Sequence, residues 1–171
     1  IVSRISKSKN IEESIEGFLN SSASESGSIL IIGGPLTNED EDYYEYLLNI
    51  YKEHKNVSFI GPVPHSELVN YLKSVSFHIN NTDKGFYDKS VLETSVNGII
   101  NFYKNIDYDK NFPFEYQEAL KFDGSSTDLS KKISSVFTLN QNEFLKIIEH
   151  SQEEIKNESL DTLVDRIERV I

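Results

Sequence analysis

The apolar residues of this chain fall into two patterns that take turns along it. Short continuous runs suit strands buried on both faces, and residues spaced three and four apart suit helices with one buried face. Ile1-Val2-Ser3-Arg4-Ile5 predicts a first strand, and Ile11, Ile15, Phe18 and Leu19 predict the helix after it. Asn10 with Glu13 three residues on has the form of a capping box, which sets the helix start directly after Lys9. A Ser-rich stretch over 21–28 ends that helix, and Ile29-Leu30-Ile31-Ile32, closed by Gly33-Gly34-Pro35, predicts a second strand. Tyr43, Leu47, Ile50 and Tyr51 share one side of a helix predicted over 42–55, and Val57-Ser58-Phe59-Ile60-Gly61 predicts a third strand. Pro64 opens a short helix carrying Leu68, Tyr71 and Leu72, ahead of a fourth strand over 75–81. A helix over 88–96 stops at Asn97-Gly98, Ile99-Ile100-Asn101-Phe102 predicts a fifth strand, and a sixth is expected over 119–122. From Thr127 onward the pattern is helical, its apolar positions being Ile133, Val136, Phe144, Ile147, Ile148, Ile155, Leu160, Leu163, Ile167 and Val170.

Alternation of this kind with right-handed crossovers predicts an α/β fold: a Rossmann-like parallel sheet of about six strands with helices on both faces. One domain is expected over 1–171, with 124–171 as its helical C-terminal part. Ligands of open sheets bind beyond the carboxyl ends of the strands, so the loops after Ile5, Ile32, Ile60, Asn80 and Phe102 are where a site belongs.

Composition narrows the chemistry. At 171 residues, 37% apolar, with ten phenylalanines and nine tyrosines, the chain is long and apolar enough to fold as one domain. It has no cysteine, which excludes a disulfide framework, thiolate catalysis and cysteine-held zinc. A formal charge of -11 argues against general binding to nucleic acid. Yet the first nine residues hold Arg4, Lys7 and Lys9 and no acid, whereas Glu39-Asp40-Glu41-Asp42 is an unbroken acidic run, so a small anion still has a local positive place to bind. No apolar run of about 18 residues and no signal-type start is present, which predicts a soluble, cytoplasmic protein. The chain opens on Ile1 and contains no methionine, and is read as part of a longer protein with a segment upstream.

Two stretches carry candidate chemistry. The first is the basic loop holding Arg4 and Lys9 between a strand and a helix start, where unpaired helix amides also attract anions. The second runs from Asp83 to Glu93, in which Gly85 lets backbone approach a ligand and the first amides of the next helix offer donors to a phosphate. Glu93, about one and a half turns into that helix, is placed to accept from sugar hydroxyls. Neither G-x-G-x-x-G after the first strand nor G-x-x-x-x-G-K-[ST] occurs. Asp40-Glu41-Asp42 and Asp107-Tyr108-Asp109 both spell D-x-D, and the first is read as a solvated helix start favoured by the dipole. His54, His65, His78 and His150 lack ligand spacing, and no metal site is expected.

These stretches resemble the two signatures of the group 1 glycosyltransferases, retaining enzymes of the GT-B fold. The first is similar in Ser3-Arg4-Ile5-Ser6-Lys7-Ser8-Lys9-Asn10, the second in Gly85-Phe86-Tyr87-Asp88-Lys89-Ser90-Val91-Leu92-Glu93-Thr94-Ser95-Val96-Asn97-Gly98. Ile32-Gly33-Gly34-Pro35-Leu36 and Val57-Ser58-Phe59-Ile60-Gly61-Pro62-Val63-Pro64 resemble landmarks between them, so the likeness covers 1 to about 103. The resemblance implies the C-terminal, donor-binding half of such an enzyme, with the N-terminal acceptor-binding domain absent from this chain. It implies that Arg4 and Lys9 hold and neutralise the leaving diphosphate. Gly34, Gly85, Phe86, Tyr87, Asp88 and Lys89 would line the donor, with the amides around Gly85 to Tyr87 as a cradle, and Glu93 would bind the ribose. A nucleoside-diphosphate sugar would be substrate, with no further cofactor or metal. Polysaccharide or glycolipid assembly is the implied setting, with any membrane association of the whole protein made through the other domain and this fragment alone inactive. The second acid that members carry eight residues before the ribose-binding Glu is here Gly85. That departure leaves open a non-catalytic, protein-binding descendant of the fold. A flavodoxin-like receiver is disfavoured, because Arg4 and Gly61 stand where its acidic pocket and phosphorylated Asp belong.

Overall fold

The computed structural model describes residues 1–156. Seven helices are found there: α1 (Ile11–Leu19), α2 (Asn38–Tyr51), α3 (His65–Leu72), α4 (Lys89–Val96), α5 (Phe114–Leu120), α6 (Ser126–Phe137) and α7 (Gln141–Lys156). They are interleaved with four strands, β1 (Ile29–Ile32), β2 (Val57–Gly61), β3 (Phe77–Asn80) and β4 (Ile100–Tyr103). The apolar positions read at Leu160, Leu163, Ile167 and Val170 lie outside the described residues.

The expectation of one sheet of about six strands is corrected. The described strands form two parallel pairs, β1 with β2 and β3 with β4. The segment expected as the first strand lies between them and makes only an isolated bridge, Val2 to Ile32. Toward β1 it pairs by backbone: Ile32 N–H donates to Ile1 C=O at 2.9 Å and Ser3 N–H to Ile32 C=O at 3.1 Å. Toward β3 a side chain intervenes, Val2 N–H donating to His78 Nε2 at 3.2 Å. The imidazole holds the backbones apart, and a cavity of about 650 Å³ opens toward the amino ends of β1 and β3, lined among others by Leu30, Ser76, Phe77 and Ile133. The sixth strand is likewise reduced to one bridge, Lys121 to Tyr103, because Ala119 and Leu120 close α5 instead. Pro113 stands at the N-cap of α5 and Glu115 in its first turn, both favourable there.

Local chemistry accounts for the helix starts. The Thr37 side chain accepts from Asp40 N–H, and Glu39, Asp40 and Glu41 fill the first turn of α2, where the macrodipole favours acids. The acidic run is therefore part of a helix that begins at Asn38, four residues before the predicted start. At α1 the boundary is as predicted but the capping box is not formed. Asn10 sits in the left-handed region at φ 45° and caps nothing with its side chain. Its Nδ2 donates instead to Asn81 C=O at 2.8 Å, tying the basic loop to the end of β3.

The main core is formed by Ile5, Ile15, Ile31, Leu47, Phe102, Leu129 and Ile133, all close to fully buried. The α1 and α6 helices pack so closely that a Cβ placed on Gly17 would lie 2.6 Å from Leu129 Cδ2. Gly33 is equally constrained, with φ 144° and a hypothetical Cβ only 1.7 Å from Ser3 C=O. No described helix is long and apolar enough to cross a membrane.

Candidate functional site at the carboxyl edge

The loops after Val2, β1, β3 and β4 meet at the carboxyl ends of the strands. A buried polar network fixes α4 there. Asn101 on β4 accepts from Thr94 Oγ1 at 2.8 Å and from His78 Nδ1 at 2.7 Å, and its amide donates to Ser95 Oγ at 2.8 Å. Thr94 and Asn101 are completely buried, so these bonds are shielded from water and costly to break. Since the Asn101 oxygen can only accept from Nδ1, His78 Nε2 carries the lone pair that receives Val2 N–H. Burial, with the nearby Ile1 amine, pushes the His78 pKa down to about 3, so the ring is neutral.

With its back half anchored, α4 presents Asp88 at its start, and Asp88 meets Lys9. Lys9 Nζ lies 2.7 Å from both carboxylate oxygens, with Lys9 5% exposed and Asp88 24%. Asn80 Nδ2 donates to the same carboxylate at 3.0 Å and is itself held by Thr82 Oγ1, which donates to Asn80 Oδ1 at 2.6 Å. The Phe86 ring lies over Lys9 Nζ at 5.6 Å. Arg4 is exposed and its guanidinium makes no bond to another described residue.

The remaining candidates are distributed around this pair. Gly34 lies beside the basic loop, its C=O accepting from Ile5 N–H at 3.0 Å. Lys89 is exposed. Glu93 is 34% exposed on α4 and reaches His65 Nε2 at 3.2 Å. The amides around Gly85 do not stand open as a cradle: Gly85 N–H donates to Asp107 Oδ2 at 2.7 Å and Phe86 N–H to Asp83 C=O at 3.2 Å. Asp88 N–H is also engaged, by Tyr108 Oη at 2.5 Å.

Several participants escape a reading of the sequence. Asn80 and Thr82 carry no motif, and Tyr108, within a D-x-D string, is fully buried in a short 3-10 turn over Ile106–Asn111 that the apolar pattern does not reveal. Asp107-Tyr108-Asp109 is therefore structural: Asp107 holds Gly85 and Asp109 pairs with Lys121 at 2.7 Å. For Asn80 and Thr82 the signal available in the sequence is the string Asn80-Asn81-Thr82 at a strand end, since short polar residues there serve loops and ligands alike.

No protein-family model matches this sequence, and no curated protein matches it by sequence. Solved structures do match by shape. The catalytic domain of cholesterol-α-glucosyltransferase from Helicobacter pylori superposes with a TM-score of 0.76 at 20% identity, over 93% of this chain and 96% of that one. Sucrose-phosphate synthase from Thermosynechococcus elongatus gives 0.75 at 14% identity, over 98% of this chain and 43% of that one. The N-terminal domain of Candida albicans trehalose-6-phosphate phosphatase gives 0.69 at 13% identity, over 90% of this chain and 36% of that one. This chain thus spans less than half the length of the latter two, and its fold is that of a GT-B glycosyltransferase domain.

Proposed function

We propose that this chain is the donor-binding domain of a retaining glycosyltransferase and binds a nucleoside-diphosphate sugar at the carboxyl edge. One observation carries the reading: Lys9 and Asp88, 79 residues apart in sequence, are in direct contact, so the basic loop and the start of α4 form one place. Arg4 adds an exposed cation to it. When the bond between the sugar's anomeric carbon and the diphosphate breaks, its electron pair leaves on a phosphate oxygen. A fixed cation stabilises that growing charge more than it stabilises the bound ground state. Glu93 is the acceptor for the ribose hydroxyls and His65 its neighbour. The acceptor substrate belongs to a partner domain of the same enzyme, and assembly of polysaccharide or glycolipid is the setting.

A folded-state ligand raises the melting temperature, by about 2.7 kcal/mol of stability at 100 dissociation constants. A panel of UDP, GDP, ADP and dTDP compounds at millimolar concentration is expected to give a shift with at least one base. Glu93→Ala should weaken a ribonucleotide about tenfold and its 2′,3′-dideoxy analogue hardly at all, read by calorimetry as a double-mutant cycle. Zero coupling with a folded variant removes Glu93 from the site. The engagement of Gly85, Phe86 and Lys9 by neighbouring groups favours a second reading, a non-catalytic interaction domain of the same fold. A panel without any shift selects it.

A further inference from the structure

Asp88 stands at the N-cap of α4 but does not cap it: its side chain accepts no bond from the helix amides. Asp is among the best N-cap residues, since its carboxylate satisfies first-turn amides and complements the dipole. Here the carboxylate is turned the other way, onto Lys9 and Asn80. The helix start it leaves shows the consequence. Ser90, the second residue of α4, is 9% exposed and its Oγ has no hydrogen-bond partner. Asp88 is thus engaged at Lys9, while the Ser90 hydroxyl in the first turn of its own helix stands without a bond.

We infer that Asp88 is a resident counter-anion which an incoming phosphate group displaces from Lys9, the freed carboxylate turning to cap α4 at Ser90. In the closed arrangement the Lys9–Asp88 pair has no net charge and offers an anion little beyond what Arg4 supplies. In the open one, Lys9 gains a phosphate oxygen in place of a carboxylate oxygen, and Ser90 gains an acceptor. The exchange keeps the buried ammonium paired with an anion throughout and gives the freed carboxylate a hydroxyl donor, which limits the desolvation cost. The site thereby discriminates by charge: a monoanion competes poorly with a bidentate carboxylate, and a diphosphate competes well. The inference rests on the donor-site reading for the identity of the anion, and on the Lys9, Asp88 and Ser90 geometry for the exchange.

The probe is inorganic pyrophosphate, which carries neither base nor sugar, titrated calorimetrically into the intact chain and its variants. Asp88→Asn keeps an N-cap residue but gives up the competing charge, and should bind pyrophosphate about tenfold more tightly than wild type. Lys9→Met added to Asp88→Asn should abolish that gain. Asn80→Ala removes only the bond that steadies Asp88 on Lys9, and should give a smaller gain of about threefold, so the idea stays testable if Asp88→Asn does not fold. Unchanged or weaker binding in Asp88→Asn or Asn80→Ala, whichever folds, or a gain that survives Lys9→Met, overturns the exchange. Nucleotide binding without these gains sinks the exchange and leaves the donor-site reading standing. The gains without nucleotide binding do the reverse.

Discussion

At the scale of single residues, His78 carries more of the structure than its type suggests. It accepts from Val2 and donates to Asn101, and so connects the N-terminal segment, β3 and the network under α4. Burial is tolerated only by the neutral ring, its pKa falling from 6.5 to about 3. The folded pKa of this base is depressed, so the unfolded chain binds a proton first as pH drops. The stability that the neutral ring provides is complete above the unfolded value. It is lost through pH 6.5 to about 3. The slope is up to about 1.4 kcal/mol per pH unit within that window. Denaturant unfolding at pH 4 to 7 should show this, and His78→Gln should flatten the slope below pH 6 at some cost in stability at neutral pH. An unaltered slope would mean that His78 is protonated in the folded state.

Among the elements, what could be read from the sequence divides by how self-contained each signal is. The α1, α3 and α4 helices were legible because periodicity and a polar or Pro start lie within each segment, with Asn97-Gly98 as a stop for α4, whereas beyond Thr127 the helical pattern was legible without the break between α6 and α7. Ile29 to Ile32 was legible as a strand because it is apolar enough to need cover on both faces, and Phe77 to Asn80 lies inside the strand expected over 75–81. Ile1 to Ile5 has the same apolar character, but becoming a strand depends on what lies beside it, and His78 intrudes from 76 residues away. In the candidate site, Arg4, Lys9, Asp88 and Glu93 were singled out by their place in the sequence and by the family resemblance, and the structure brings Lys9 and Asp88 into contact. That Lys9 is neutralised by Asp88 was not, since no local pattern reports which two charged side chains a fold will bury together. Contact between α1 and α6 is similarly invisible until Gly17 is seen against Leu129. Gly17→Ala should gain about 1 kcal/mol in helix propensity and lose about 1–3 kcal/mol to overpacking, for a net fall in stability. Its effect on Tm should shrink when Leu129→Ala is added, and additive effects would show that the helices shift apart freely.

For the whole molecule, the sheet edge that gathers the candidate site is held from behind by the C-terminal helices. Leu129, Ile133 and Val136 of α6 belong to the same core as Ile15, Phe18 and Ile31. Ending the chain at Gly124 should therefore abolish cooperative unfolding, seen as a broad, low-enthalpy transition, and not merely trim a tail. A fragment over 1–124 that melts as sharply as the intact chain would show the two parts to be separate. The same packing sets a clock during synthesis. Ser22 and Ser134, which hydrogen-bond where α1 gives way to the next turn, are 112 residues apart. At about 5–20 residues per second, the buried face of the first helix waits on the order of 6–20 seconds, uncovered, before its partner leaves the ribosome. For that interval Ile15 and Phe18 are open to whatever hydrophobic surface is nearest, which makes the first helix the part of this protein on which a nascent-chain chaperone would act.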